Sequence, residues 1–146
     1  MDVTVHADAD QFAASDASLL NGPEDLEREP PAAYAERGLV WPPRMAPESL
    51  VSYGMFGDQP DAHARLHGVV TQAATRRTAL TGQAFHVARV RTVPGEVDVC
   101  VAADDHAQAP RPGNVVGGTV FMVASVGVVA PAGRGRRGLR LPWRGT

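Results

Sequence analysis

The chain contains 146 residues, of which 44% are hydrophobic and 5% are aromatic, and its formal net charge is −2. This length favours one domain with a substantial core. The single cysteine, Cys100, excludes an intrachain disulfide bond, and the scarcity of aromatic residues weighs against a surface that stacks single-stranded nucleic acid.

The composition also predicts the origin and location of the protein. All fourteen basic residues are arginine, and lysine and isoleucine are absent, which is typical of a GC-rich bacterial genome. One cysteine favours a reducing compartment, and residues 1–8 lack the basic start and apolar core of a secretory signal. The apolar run at 115–129 is too short and glycine-rich for a membrane span. We therefore expect a bacterial, cytoplasmic protein with no membrane partner.

The first 61 residues form an irregular, acidic segment. They hold twelve acids and three arginines, a net charge of −9, whereas residues 62–146 hold four acids and eleven arginines, a net charge of +7. Either the two halves pack through complementary surfaces, or a basic face binds an anionic ligand and the acidic segment partly shields it. The elements predicted in this segment are a strand at 2–7, a helix at 12–20, helical turns at 23–29 and 32–37, and a strand at 50–55.

The following block has the period-two pattern of β-strands. Val97, Val99 and Val101 alternate with outward-facing residues, which predicts a half-buried strand at 96–104. Proline and glycine at 94 and 95 suit the centre of a tight turn. The pattern thus predicts a strand at 64–75, a hairpin of 85–93 with 96–104, a loop at 104–114, and a long strand at 115–129.

This block resembles the oligonucleotide/oligosaccharide-binding barrel (OB-fold). The residues that carry the resemblance are Gly68-Val69 in the first strand, the hairpin, and the Pro-Gly-Xaa-Val-Val-Xaa-Gly run at 112–118. It covers about residues 64–130 and implies a fold without a function. We expect a mainly β chain, a small OB-like antiparallel barrel, closed or partly closed, with an irregular, partly helical N-terminal layer. The predicted domain spans 1–131 (acidic layer 1–61, barrel core 62–131), and a flexible Arg/Gly-rich tail spans 132–146.

Arg89 and Arg91 are the leading candidates for ligand contact. They share one face of a predicted strand, where two guanidinium groups suit a carboxylate or phosphate in forked geometry. The alternative is pairing with Asp98 or with the acidic half. Trp41, as a stacking platform or a cap on the core, and His86 complete the predicted ligand-binding residues.

Several other polar groups suit metal or acid–base chemistry. His63 and His67 share a face on a helix or on a strand and are weak candidates for binding a divalent metal, the alternative being ordinary surface histidines. Cys100 has His86 as its nearest candidate base. Two further groups suit acid–base chemistry or, alternatively, a solvated strand edge and a turn: His6 with Asp8 and Asp10, and Asp104-Asp105-His106.

These patterns lead to several functional hypotheses. The first is a non-catalytic binding or accessory module that engages an anionic small molecule or a protein partner, with no cofactor. The second is a small β-barrel enzyme, of cyclase or isomerase type, in a bacterial secondary pathway. The third is a single-stranded nucleic-acid module, which the few aromatic residues disfavour. The run at 115–129 also suits the interface of a homodimer.

Overall fold

The computed structural model describes residues 3–125, which form one antiparallel sheet of six strands, with short helices between its first three strands. The mainly β prediction is therefore confirmed. The strands are β1 (Thr4–His6), β2 (Ser49–Ser52), β3 (His63–Arg77), β4 (Ala84–Thr92), β5 (Gly95–Ala102) and β6 (Val115–Phe121). The helices are α1 (Ala9–Ala14) and α2 (Ala32–Glu36), with 3-10 turns at Asp16–Ser18, Pro23–Leu26 and Tyr53–Met55.

The strand order is that of a Greek key. The sheet runs β1-β6-β3-β4-β5, so β6 returns beside β3 after the β4–β5 hairpin, and β2 pairs with β3 beyond the end of β4. The predicted hairpin is confirmed, with Arg91 opposite Glu96 and Thr92 opposite Gly95. Gly95 has φ +145°, a backbone conformation that side chains disfavour.

A β-bulge interrupts β3, a 15-residue strand that pairs with β6 along its first half and with β4 along its second half. The register against β4 shifts between Val70 and Gln72, which leaves Thr71 as the extra residue. Because one inserted residue reverses the side-chain alternation, Val70 before the bulge and Ala73 after it both face the core. The bulge therefore bends β3 while keeping one face apolar.

Valine side chains from the four strands β3, β4, β5 and β6 dominate the core. Each fully buried Val or Leu contributes on the order of 1.5–3 kcal/mol relative to an exposed one. The sheet is not closed by hydrogen bonds within residues 3–125, and β1 and β5 are its outermost strands there. The buried cluster consists of Leu66, Val70, Ala88, Val90, Val99, Val101 and Val116.

The N-terminal layer covers the other face of β3. Phe12 of α1 is fully buried and lies on His67. Arg65 reaches into this layer and donates hydrogen bonds to the carbonyl oxygens of Ala17, Leu19 and Leu20, at 2.7–2.9 Å. One arginine thereby satisfies three backbone acceptors of an irregular segment.

Some predicted boundaries were wrong. Helix α1 ends at Ala14, where the Ser15 hydroxyl bonds to the Phe12 carbonyl, and a 3-10 turn follows in place of further helix. The predicted strand at 50–55 ends at Ser52 and continues as a 3-10 turn. Strand β6 ends at Phe121, so the predicted strand at 115–129 is wrong for residues 122–125. Its last part, from 126 onward, and the whole tail at 132–146 lie outside the described residues.

Candidate functional site

Arg89 and Arg91 both lie on the outer face of the β4–β5 hairpin, in ion pairs. The Arg89 Nε donates to the Asp98 carboxylate at 3.0 Å across the strand pair, and Arg91 donates to Glu48 of the N-terminal segment at 2.8 Å. The hydrogen bond from Arg91 lowers the pKa of Glu48. The alternative considered from the sequence, pairing with Asp98 or with the acidic half, is the arrangement observed; ligand binding by these arginines stays a prediction.

We expect Arg89→Ala and Arg91→Ala to change thermal stability no more than Arg37→Ala, an exposed arginine that follows α2. Exposed pairs gain little because water and salt screen them. Thermal unfolding at low and high salt measures this. A large loss confined to Arg91→Ala and removed by salt would instead show that the Glu48 pair holds the two halves together.

His86 of β4 connects β3 to the loop that follows β5. It is buried, with its Nδ1 at 2.9 Å from the Thr75 hydroxyl and its Nε2 at 3.2 Å from the His106 carbonyl oxygen. The pairing of His86 with Cys100 is wrong, because His86 lies opposite Val101 and Cys100 lies one position along, on the other face.

Trp41 belongs to the N-terminal layer rather than to the core of the sheet. Its indole N–H lies 3.1 Å from the Asp25 carbonyl oxygen and 3.2 Å from that of Arg28, and its ring meets Tyr34 edge-on at 4.9 Å. These contacts join the 3-10 turn at Pro23–Leu26 to α2. The interpretation of Trp41 as a cap on the core is therefore wrong.

His63 and His67 lie on a strand and have different surroundings. His63 is exposed and contacts the Asp61 carboxylate at 2.7 Å. His67 is 1% exposed, with its Nδ1 at 3.2 Å from the Ser49 hydroxyl. Within residues 3–125 no group of three or more His, Cys, Asp or Glu side chains gathers as a metal site would require.

The His67 ring is enclosed on several sides. The Phe12 ring packs against it in a tilted geometry with the ring centroids 4.7 Å apart, and Gly117 of β6 lies opposite it in register. Burial lowers the pKa of His67 to about 4, and the positive charge of Arg65 acts in the same direction. His67 is therefore a neutral core residue near pH 7.

An apolar cleft of about 630 Å³ lies at the open side of the sheet. One wall is the outer strand β5, and the other is the end of β6 with the residues that follow it. Phe121, Met122 and Val123 there are 56%, 42% and 86% exposed. The residues that line the cleft are Val3, Leu66, Val97, Asp98, Val99, Cys100, Val120, Phe121, Met122 and Val123.

Cys100 lines this cleft as the only thiol of the chain. Burial, and after it the Asp98 carboxylate, raises the pKa of the thiol. A nucleophilic cysteine requires the opposite shift, so these surroundings disfavour the thiolate form of Cys100.

A second cleft, of about 500 Å³, lies between β1 and the loop at 103–114. Two groups that the sequence presented separately meet here, His6 from the N-terminal strand and Asp105-His106 from the loop. Arg111 also lines this cleft, and sequence reasoning missed it; its only signal was a lone cation in a loop otherwise rich in proline and glycine.

In the part of the chain that the structure describes, no helix combines the length and apolar character needed to cross a bilayer. Comparisons of the chain with protein-family models, with curated proteins and with solved structures give no match.

Proposed function

We propose that this protein is a non-catalytic binding module that holds an extended, apolar segment of a protein partner in the cleft between β5 and β6. The observation that carries the proposal is the juxtaposition of an apolar wall with an outer strand. Phe121, Met122 and Val123 expose apolar surface beside a strand that has no further strand neighbour within residues 3–125.

An extended peptide fits both features of the cleft. The outer edge of β5 offers backbone N–H and C=O groups, which an added strand can pair. In an extended peptide alternate side chains point the same way, so every second residue would enter the cleft between Val97 and Val120. Apolar side chains suit these walls, because contiguous exposed apolar surface favours association.

The order of the strands supports an OB-like barrel as the framework of the module. In the Greek key, β3 pairs with both β4 and β6, and the unclosed side lies between the outermost strands, β5 and β1, where the end of β6 also borders the cleft. A partner strand added there would extend the barrel towards closure. The nucleic-acid hypothesis has less support, because the cations Arg89 and Arg91 on the outer hairpin face already have carboxylate partners.

The native cysteine makes the proposal testable. The probe is a blocked, fluorescently labelled peptide of alternating valine and threonine, long enough to form one strand. We expect saturable binding to the full chain by fluorescence anisotropy and slower alkylation of Cys100 in its presence. Phe121→Asp should weaken binding about tenfold or more, because the new carboxylate must lose water when the peptide binds.

Leu80→Asp is the matched control, since Leu80 is 99% exposed in the β3–β4 turn, away from the cleft. It should bind the peptide like the parent chain. Equal loss in both variants, or peptide binding without protection of Cys100, would overturn the proposal. Slow alkylation of Cys100 before any peptide is added would also overturn the proposal. If that protection increased with protein concentration, the occupant of the cleft would be a second copy of the chain. If it did not, the occupant would be other residues of the same chain.

A further inference from the structure

We propose that the cleft between β1 and the loop at 103–114 is a binding site for a small oxyanion, a carboxylate or a phosphate. This site lies apart from the apolar cleft and does not depend on it. Its lining combines one guanidinium, two imidazoles and three side-chain amides from three separate parts of the chain. These residues are His6, Gln11, His106, Gln108, Arg111 and Asn114, and Asp105 is the one carboxylate among the lining side chains.

Hydrogen bonds fix the loop at 103–114, which forms one wall of the cleft, to the rest of the fold. The Asn114 amide donates to the Ala7 carbonyl oxygen at 3.0 Å and accepts from the Arg111 backbone N–H at 2.8 Å. At its other end, the loop is tied to β4 by the contact between the His86 ring and the His106 carbonyl oxygen. The backbone around Arg111 is thus anchored to Ala7, directly after β1, which positions the side chain at the cleft.

Arg111 differs from the arginines of the hairpin in its partners. Arg89 and Arg91 have carboxylates at 3.0 and 2.8 Å, whereas no carboxylate among residues 3–125 lies within ion-pair distance of the Arg111 guanidinium. A guanidinium presents its N–H groups in a fork that matches a carboxylate or a phosphate. Arg111 therefore has the free charge that the predicted anion-binding residues lack.

The neighbouring groups supply donors without adding fixed charge. The Gln11 carbonyl oxygen accepts from the Ala7 N–H, which leaves its NH₂ group as a donor. Burial lowers the pKa of His6, so its ring enters the cleft neutral near pH 7. With one cation and the Asp105 carboxylate in the lining, the site favours a ligand of low negative charge.

Titration of the full chain with inorganic phosphate and, separately, with acetate tests this site by ¹H–¹⁵N NMR. We expect saturable shifts of the side-chain amide signals of Gln11 and Asn114, and the tighter of the two anions identifies the ligand class. Arg111→Gln should weaken binding about tenfold or more, because it removes charge-assisted hydrogen bonds. Arg111→Lys should weaken it by less, since it keeps the charge and loses the fork.

Arg37→Gln is the control, because it removes the same charge from an exposed position outside the cleft. It should leave the binding of either anion unchanged. The proposal is overturned if neither anion shifts the Gln11 and Asn114 amides, or if Arg37→Gln and Arg111→Gln weaken binding equally, which would indicate attraction by net charge alone. A failure here leaves the peptide proposal intact, since the two clefts share no lining residue.

Discussion

Gly117→Ala is expected to lower the free energy of unfolding by about 1–3 kcal/mol, as overpacking of a filled core does. A Cβ at this position would lie 2.1 Å from Cδ2 of His67. The imidazole has little room to move, because it is hydrogen-bonded to Ser49 and packed against the Phe12 ring. Denaturant unfolding, followed by circular dichroism, measures the loss.

A double-mutant cycle separates this clash from the general effect of adding a methyl group. In a His67→Ala background, Gly117→Ala should cost little, since the ring that it meets is gone, and the two substitutions should be coupled by about 1–3 kcal/mol. Gly57→Ala is the matched control, because its Cβ would meet only the Gln59 backbone, at 3.8 Å. Additive costs in the cycle would show that the ring does not limit position 117.

The stability of the fold should fall as the pH is lowered from about 6.5 towards 4. His67 titrates near 6.5 when unfolded, whereas burial holds its pKa at about 4 in the folded chain. Between these two pKa values the unfolded chain binds a proton that the folded chain does not, so acid favours unfolding. The full free energy of unfolding is therefore present only above about pH 6.5, where His67 is neutral in both states. The loss across this window should be roughly 2–3 kcal/mol, the lower figure allowing for screening by solvent.

Denaturant midpoints across this pH range measure the effect, and two variants assign it. His67→Asn removes the titrating group and should flatten the dependence between pH 6.5 and 5, whatever its own stability. His63→Asn, at the exposed histidine of the same strand, should keep the parental dependence. If His67→Asn keeps it as well, carboxylates and not the buried imidazole cause the acid sensitivity.

The hairpin arginines illustrate why spacing predicts a face but not a partner. Arg89 and Arg91 lie on one face of β4, as their spacing of two residues requires. The turn fixes the register of the β4–β5 hairpin, which places Asp98 opposite Arg89. The sequence could therefore predict the Arg89–Asp98 ion pair as an alternative to ligand binding. Glu48 is 43 residues away from Arg91, and only the path of the N-terminal layer brings it there.

The anion-binding group could not be assembled from the sequence for the same reason. His6 and His106 each stood in a short polar motif, but 100 positions separate them along the chain. They meet because β1 pairs with β6, directly after the loop that carries His106 and Arg111. A long-range strand pairing of this kind leaves no local signal in either segment.

By itself, the sequence determined the mainly β character, the β4–β5 hairpin with its Pro-Gly turn and the inward-facing valines of β5, because alternation and turn chemistry are local properties. Only the tertiary structure decided that His67 is enclosed between Phe12 and Gly117, and that a bulge lets β3 bend. The two clefts also belong to the tertiary structure, since each is lined by segments distant in sequence. The contacts that line them arise from strands that pair and pack over long distances in the chain. The pattern of any one short segment does not show which distant segment will be its partner.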